Sequence, residues 1–187
     1  SMELAKRFIS EGFNLKWAAS AHPKSICDMT NEELEILKRS GLTRLLIGAE
    51  SGSAEELKLI KKSIDADMIF NISRRCAKHG IFVCFTFVTG YPSMQSKNIE
   101  NAFEFVKKLK DYEPSHEIKL HFYGPYPGTP LYDLALDSGF IPPNTLEGWA
   151  EHDYYNILTP WVEEKYHPML RHFNEEYYPY ISHLKTT

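Results

Sequence analysis

A parallel α/β fold with about four strands is predicted from three features of the 187-residue sequence. Short apolar runs alternate with amphipathic stretches from residue 12 to about 140. The amphipathic stretches open on capping residues and stop at glycines. The apolar runs carry hydrophobic residues on both faces, as strands do when a parallel sheet is covered from two sides. Beyond Phe140 the composition shifts toward Tyr, His and Trp. That shift divides the chain into residues 1–140, which carry the α/β repeats, and residues 141–187, a helical C-terminal extension packed over the sheet.

The elements follow in order. Glu3 to Glu11 is a short amphipathic helix stopped by Gly12, and Asn14–Ala21 (NLKWAASA) is the first strand. Thr30 and Glu33 form a capping box that opens a helix ended by Gly41. Leu42–Gly48 (LTRLLIG) is the second strand. Ser53 and Glu56 form a second capping box, before a helix reaching about Lys62. A longer helix runs from about Asp65 to His79, ended by Gly80. Ile81–Thr89 (IFVCFTFVT) is a third, buried strand. Ser96–Asp111 is a helix with Ile99, Ala102, Phe103, Val106 and Leu109 on one face. Glu117–Tyr123 (EIKLHFY) is the fourth strand, and Leu131–Ser138 a short helix ended by Gly139. Strands joined through helices imply right-handed crossovers. Four strands are too few to close a barrel. The sheet should therefore present an edge open to self-association, or cover it with the tail or a second copy of the chain.

Composition narrows the function. Apolar residues make up 43% and charged residues 25%, which excludes a disordered chain. The net charge of −4 is spread along the chain, and no basic stripe marks a nucleic-acid partner. No apolar run is long enough for a membrane span. The start, Ser1-Met2-Glu3-Leu4, lacks the basic and apolar regions of a signal peptide. Ser1-Met2 reads as a cloning remnant, so an excised domain is expected. Cys27, Cys76 and Cys84 are odd in number and irregularly spaced, which favours reduced thiols and a cytoplasmic setting. The histidines form no pair or cluster with zinc spacing, and no metal ligands are assigned. Trp17, Trp149 and Trp161 read as packing anchors.

In parallel α/β folds ligands bind at the carboxyl ends of the strands. Those ends are Ser20-Ala21-His22-Pro23, Gly48 to Ser53, Thr89 to Ser93, and Tyr123 to Pro130. Glycine lets backbone approach a ligand closely and proline stiffens the loop. Glu50 is the sharpest residue. A carboxylate there either accepts hydrogen bonds from a sugar diol or caps the amides of the Ser51–Ser53 turn, and the residues alone leave both open.

Taken together, these strand ends resemble radical S-adenosylmethionine (SAM) proteins, especially those with a cobalamin-binding domain. The resemblance rests on Trp17 to His22, Thr30 to Gly41, Leu46 to Ser53, Leu57 to Lys62, Gly80 to Pro92, Pro125-Tyr-Pro-Gly-Thr-Pro-Leu-Tyr132, and Leu146 to Trp161. It implies a partial TIM-type (β/α) barrel. In the family a [4Fe–4S] cluster cleaves SAM reductively to a 5′-deoxyadenosyl radical, and a Cys-x-x-x-Cys-x-x-Cys loop holds the cluster. That loop and the first two barrel strands have no counterpart here. His22 and Met94 stand where the family usually has arginine and glutamate.

By resemblance Glu50, with Ser51 beside it, meets the SAM ribose. Ser20 and His22 lie near the methionine moiety, Val88 and Gly90 border the adenine, and Tyr123 to Pro125 do the same from the fourth strand. The implied parent uses SAM, a [4Fe–4S] cluster and cobalamin on a small-molecule substrate, for C–H functionalisation such as methylation or oxidative cyclisation. A magnesium-porphyrin monomethyl ester oxidative cyclase is one relative of this type. This chain is expected to bind no iron and to be inactive alone, so no catalytic residue is assigned. Two other readings stand beside it: a non-redox nucleotide- or phosphate-binding module, which lacks the expected glycine-rich signatures, and a partner-docking domain built on the aromatic tail.

Overall fold

The computed structural model describes residues 2–152 and 159–177. Four strands, β1 (Trp17–Ala21), β2 (Leu42–Glu50), β3 (Phe82–Thr89) and β4 (Glu117–Phe122), form one parallel sheet in sequential order. The helices α1 (Met2–Ser10), α2 (Pro23–Cys27), α3 (Asn31–Arg39), α4 (Ala54–Leu59), α5 (Ala66–Lys78) and α6 (Ser96–Tyr112) precede or join the strands. α7 (Tyr132–Asp137), α8 (Leu146–Glu151) and α9 (Tyr166–Tyr177) follow β4. The result is an open, partial barrel wall of the kind the sequence implies.

Local chemistry explains most boundaries. Thr30 and Glu33 form the full reciprocal capping box at α3. Asp65 caps α5 by accepting from the Met68 amide at 2.8 Å. The α2 turn was not expected. Its cap is His22, whose Nδ1 accepts from the Lys24 amide at 3.2 Å, with Pro23 in the first helical position. Five residues carry too little periodicity for a pattern to reveal them. The second expected capping box forms only by half. Ser53 Oγ accepts from the Glu56 amide, but the Glu56 side chain does not return the bond.

The sheet has one packed face. Leu45, Ile47 and Ala49 of β2, Val83, Phe85 and Phe87 of β3, and Ile118 and Leu120 of β4 share a core with Leu34, Leu37, Ile69, Ile72, Val106 and Leu109 of the helices. Burying each of these side chains larger than alanine contributes about 1.5–3 kcal/mol. The opposite face departs from the two-sided cover expected of β2 and β3. Among the described residues it opens on a cavity of about 500 Å³, walled by Ala18, Ser20, Arg44, Thr86, Lys119 and His121. Leu46 is 42% exposed there. The sequence misled because Leu46, Cys84 and Val88 are apolar residues on the open face.

The β4 edge is covered by the tail. Asn174 of α9 accepts from the Leu120 amide at 3.1 Å and donates to the Leu120 carbonyl at 2.8 Å. Its side-chain amide thus stands in for a neighbouring strand. The remaining parts of 141–187, at 153–158 and 178–187, lie outside the described residues.

Candidate functional site

The site begins with an irregularity at the end of β2. Gly48 pairs with Thr86 and Glu50 with Phe87, so Ala49 is an extra residue bulging from the ladder. Glu50 then turns left-handed, with φ 62°, and the Ser51 amide bonds back to the Ala49 carbonyl at 2.8 Å. This is a γ-turn of the rare positive-φ kind. A non-glycine residue there stores about 1–3 kcal/mol. The turn aims the Glu50 carboxylate into a cavity of about 340 Å³ above the strand ends, also lined by Val88, Tyr91, Tyr123, Lys62 and Thr129. Lys62 Nζ lies 3.0 Å from the carboxylate.

Two aromatic rings wall the same cavity. Tyr91 and Tyr123 lie 5.3 Å apart with planes inclined by 35°. Burial pushes both hydroxyl pKa values up, and for Tyr91 the nearby Glu56 and Glu50 add to the effect. The Tyr123 hydroxyl is buried beside Thr129, and no hydrogen bond of good geometry holds it among the described residues. An orphaned buried donor is costly unless something else meets it.

Of the residues singled out in the sequence, Glu50, Val88 and Tyr123 come together around this cavity. Ser51 is buried and turns away from it, toward Glu56. Gly90, with φ 68°, offers its carbonyl to Trp161 Nε1 at 2.8 Å, so Trp161 is more than a packing anchor. The Pro125 carbonyl meets His152 Nε2 at 3.2 Å. Ser20 lines the other cavity, on the open sheet face, and His22 caps α2. Sequence reading passed over Lys62, Thr129 and Glu56 as site residues. Lys62 looked like the polar end of a helix, and Glu56 was hidden in its capping-box pattern.

The cavity suits a nucleoside. A carboxylate faces where a diol would sit, a flat aromatic wall suits a base, and a buried hydroxyl lacks a hydrogen bond of good geometry. The residues do not suit an iron–sulfur cluster. Cysteine ligation needs several thiolates converging on one point. Cys27 lies on α2, its thiol 3.8 Å from the Met68 carbonyl, while Cys76 is on α5 and Cys84 in β3. Burial pushes the Cys76 thiol up to about 12 and raises the other two. Among the described residues no three His, Cys, Asp or Glu converge.

Comparison with known proteins bears on the family and the fold. The chain is 30% identical over 115 residues to a tRNA-2-methylthio-N(6)-dimethylallyladenosine synthase of Rickettsia typhi, covering 59% of this chain and 24% of the relative. It is 26% identical over 133 residues to a bacteriochlorophyllide d C-8(2)-methyltransferase of Chlorobaculum tepidum, covering 70% and 28%. The chain thus spans about a quarter of the length of these curated relatives. The radical S-adenosylmethionine methyltransferase TsrM of Kitasatospora setae, solved with cobalamin and a [4Fe-4S] cluster, shares the fold at a TM-score of 0.56 and 16% identity, over 72% of this chain and 26% of that one. The family model described as the radical SAM superfamily matches residues 7–106, more than half of the sequence. The chain belongs to the radical SAM superfamily.

Proposed function

We propose that this chain is the SAM-facing part of a radical SAM enzyme, with the cluster ligands supplied from outside this sequence. The observation that carries it is Glu50. A strained γ-turn at a bulge holds its carboxylate over a cavity walled by Val88, Tyr91 and Tyr123. Strain of this kind persists only where the surroundings over-determine it, and it concentrates at ligand sites. Bound SAM supplies one-electron C–H chemistry when it is cleaved reductively. In this reading Glu50 accepts the ribose hydroxyls and gives up Lys62 to do so. Val88 and the tyrosine pair flank the base, and the Tyr123 hydroxyl donates to it. Ser20 and His22 border the methionine end, while Gly90 and Pro125 hold the neighbouring backbone through Trp161 and His152. The division between an α/β part, 1–140, and a covering extension, 141–187, belongs to the same proposal.

The matched relatives are named for chemically different substrates, a tRNA nucleoside and a bacteriochlorophyllide. C–H methylation or cyclisation, with cobalamin as a second cofactor, is the reaction type proposed, on the likeness to TsrM.

The test is titration of the 187-residue chain with S-adenosylhomocysteine, followed by amide NMR, with ATP as the competing ligand. Shifts at Glu50, Val88 and Tyr123 are expected. Saturable binding of ATP but not of the homocysteine derivative would favour a phosphate-binding module and overturn the proposal. Anaerobic reconstitution with iron and sulfide should leave the chain without a stable cluster, since its thiols neither converge nor ionise easily.

A further inference from the structure

A fully buried carboxylate lies behind the cavity, and the nucleoside reading does not use it. Glu56 is 0% exposed. One of its oxygens accepts from Ser51 Oγ, at the end of β2, and the other from Thr89 Oγ1 at 2.9 Å, at the end of β3. The Gly90 amide lies near enough to favour the charged carboxylate. Ser51 Oγ in turn accepts from the Ser53 amide at 2.9 Å. That is the bond the Glu56 side chain would have taken in a capping box. Relieved of it, the carboxylate reaches across to the next strand.

Burial raises the Glu56 pKa, while Ser51, Thr89 and the Gly90 amide pull it back. Glu55 adds repulsion, and its own carboxylate is held by Asn98 at 3.1 Å. No cation pairs with Glu56 among the described residues, and a buried acid left so is costly compared with an apolar side chain. Its return is geometric. The residues it holds, Ser51 and Thr89–Gly90, directly follow the two that face the cavity, Glu50 and Val88.

We infer that Glu56 is a positioning residue: its carboxylate ties the end of β2 to the end of β3 and thereby sets the spacing of Glu50 and Val88 across the proposed nucleoside cavity. It does not touch the ligand. It keeps the γ-turn and the left-handed Gly90 in register with each other. The inference rests on the nucleoside reading for its purpose, but on this network for its geometry.

The experiment compares the 187-residue chain with Glu56→Gln and Glu56→Leu, by amide hydrogen exchange and by titration with 5′-methylthioadenosine. Glutamine keeps the size and loses the charge, and leucine supplies a folded variant should glutamine fail to fold. Exchange at Ser51, Ser53 and Gly90 should quicken by about tenfold in both variants, while Val83 and Phe85 in the core stay as they were. Affinity for the nucleoside should fall by about tenfold. Unchanged exchange at those three amides overturns the inference, and so does undiminished affinity in a folded Glu56→Gln. A uniform rise in exchange across the sheet reduces Glu56 to a general stabiliser and overturns it as well. If the wild-type chain binds no nucleoside, the proposed function falls, and the exchange measurements alone decide the role of Glu56.

Discussion

The two rims of the sheet are built on opposite terms. At the start of the strands polar groups are paired by long side chains. Arg44 meets Glu117 at 2.5 Å across the open face. His116 accepts from the Val83 amide at 3.2 Å through one ring nitrogen and meets the Ser73 carbonyl at 2.9 Å through the other. Lys110 bonds the Pro114 and His116 carbonyls, and Lys38 the Gly80 carbonyl. At the far ends of the strands, Glu50, Lys61 and Ser93 all take positive φ, β2 bulges, and no hydrogen bond of good geometry holds the Tyr123 hydroxyl among the described residues. The first rim pairs most of its polar groups, leaving Ser73 Oγ and His79 Nε2 unpaired among the described residues, while the second carries the left-handed non-glycine residues. In parallel α/β proteins stability concentrates at the first rim and ligand chemistry at the second. Substitutions at the two rims should therefore separate stability from binding.

The largest effect is expected at the start of β2. Gly41 has φ 96°, and a Cβ there would stand 1.9 Å from the Leu15 carbonyl oxygen. Backbone cannot yield as a side-chain tip can. Gly41→Ala should cost about 3 kcal/mol or more, combining strain and overlap. Urea denaturation reads this directly. A loss under about 1 kcal/mol would mean that this rim bends freely, and the contrast would fail.

His116 comes next. His116→Ala leaves the Val83 amide and the Ser73 carbonyl without partners in the interior, at about 1–3 kcal/mol each. The wild type carries a related pH signature. Burial lowers the pKa of His116, and that of His121 to about 4, from 6.5. The unfolded chain therefore takes up these protons first as pH falls. Their contribution is complete above about pH 6.5 and is lost progressively toward pH 4. Glu56, with its raised pKa, works the other way, since the folded state protonates first. Two histidines against one acid should leave stability lower at pH 5 than at pH 7.5, and the Glu56→Gln variant should show the steeper loss. Equal urea midpoints at the two pH values would contradict the burial of these rings.

Much of this contrast was legible in the sequence, and the reasons are specific. Alternation and caps located the four strands and most joining helices, because Thr30, Asp65, Gly41 and Gly80 act locally. The strand-end rule brought out Glu50 and Tyr123 without any coordinates, and the family resemblance added Val88. What stayed hidden depended on distant partners. Ser53 to Glu56 has the spacing of a capping box, and only the approach of Thr89 diverts the glutamate. His116 and Asn174 look like ordinary polar residues until Val83 and Leu120 are seen beside them. The open face was misread because a strand's alternation states which residues are apolar, not whether anything covers them.

The smallest change in stability, and the sharpest test of the contrast, is expected for Glu50→Gly. Glycine takes φ 62° without penalty, which releases about 1–3 kcal/mol of strain. Against this stand the lost ion pair with Lys62, worth at most about 1 kcal/mol at that exposure, and the greater freedom of glycine in the unfolded chain, about 0.5–1 kcal/mol. The terms nearly cancel, so the urea midpoint should hold or rise slightly. Affinity for S-adenosylhomocysteine should meanwhile fall about tenfold or more, because the carboxylate that would hold the ribose is gone. A variant that loses both stability and binding would make Glu50 a structural residue whose turn serves the fold. Binding lost with stability kept means that the strain at this rim is maintained for a ligand, as strained left-handed residues at functional sites generally are.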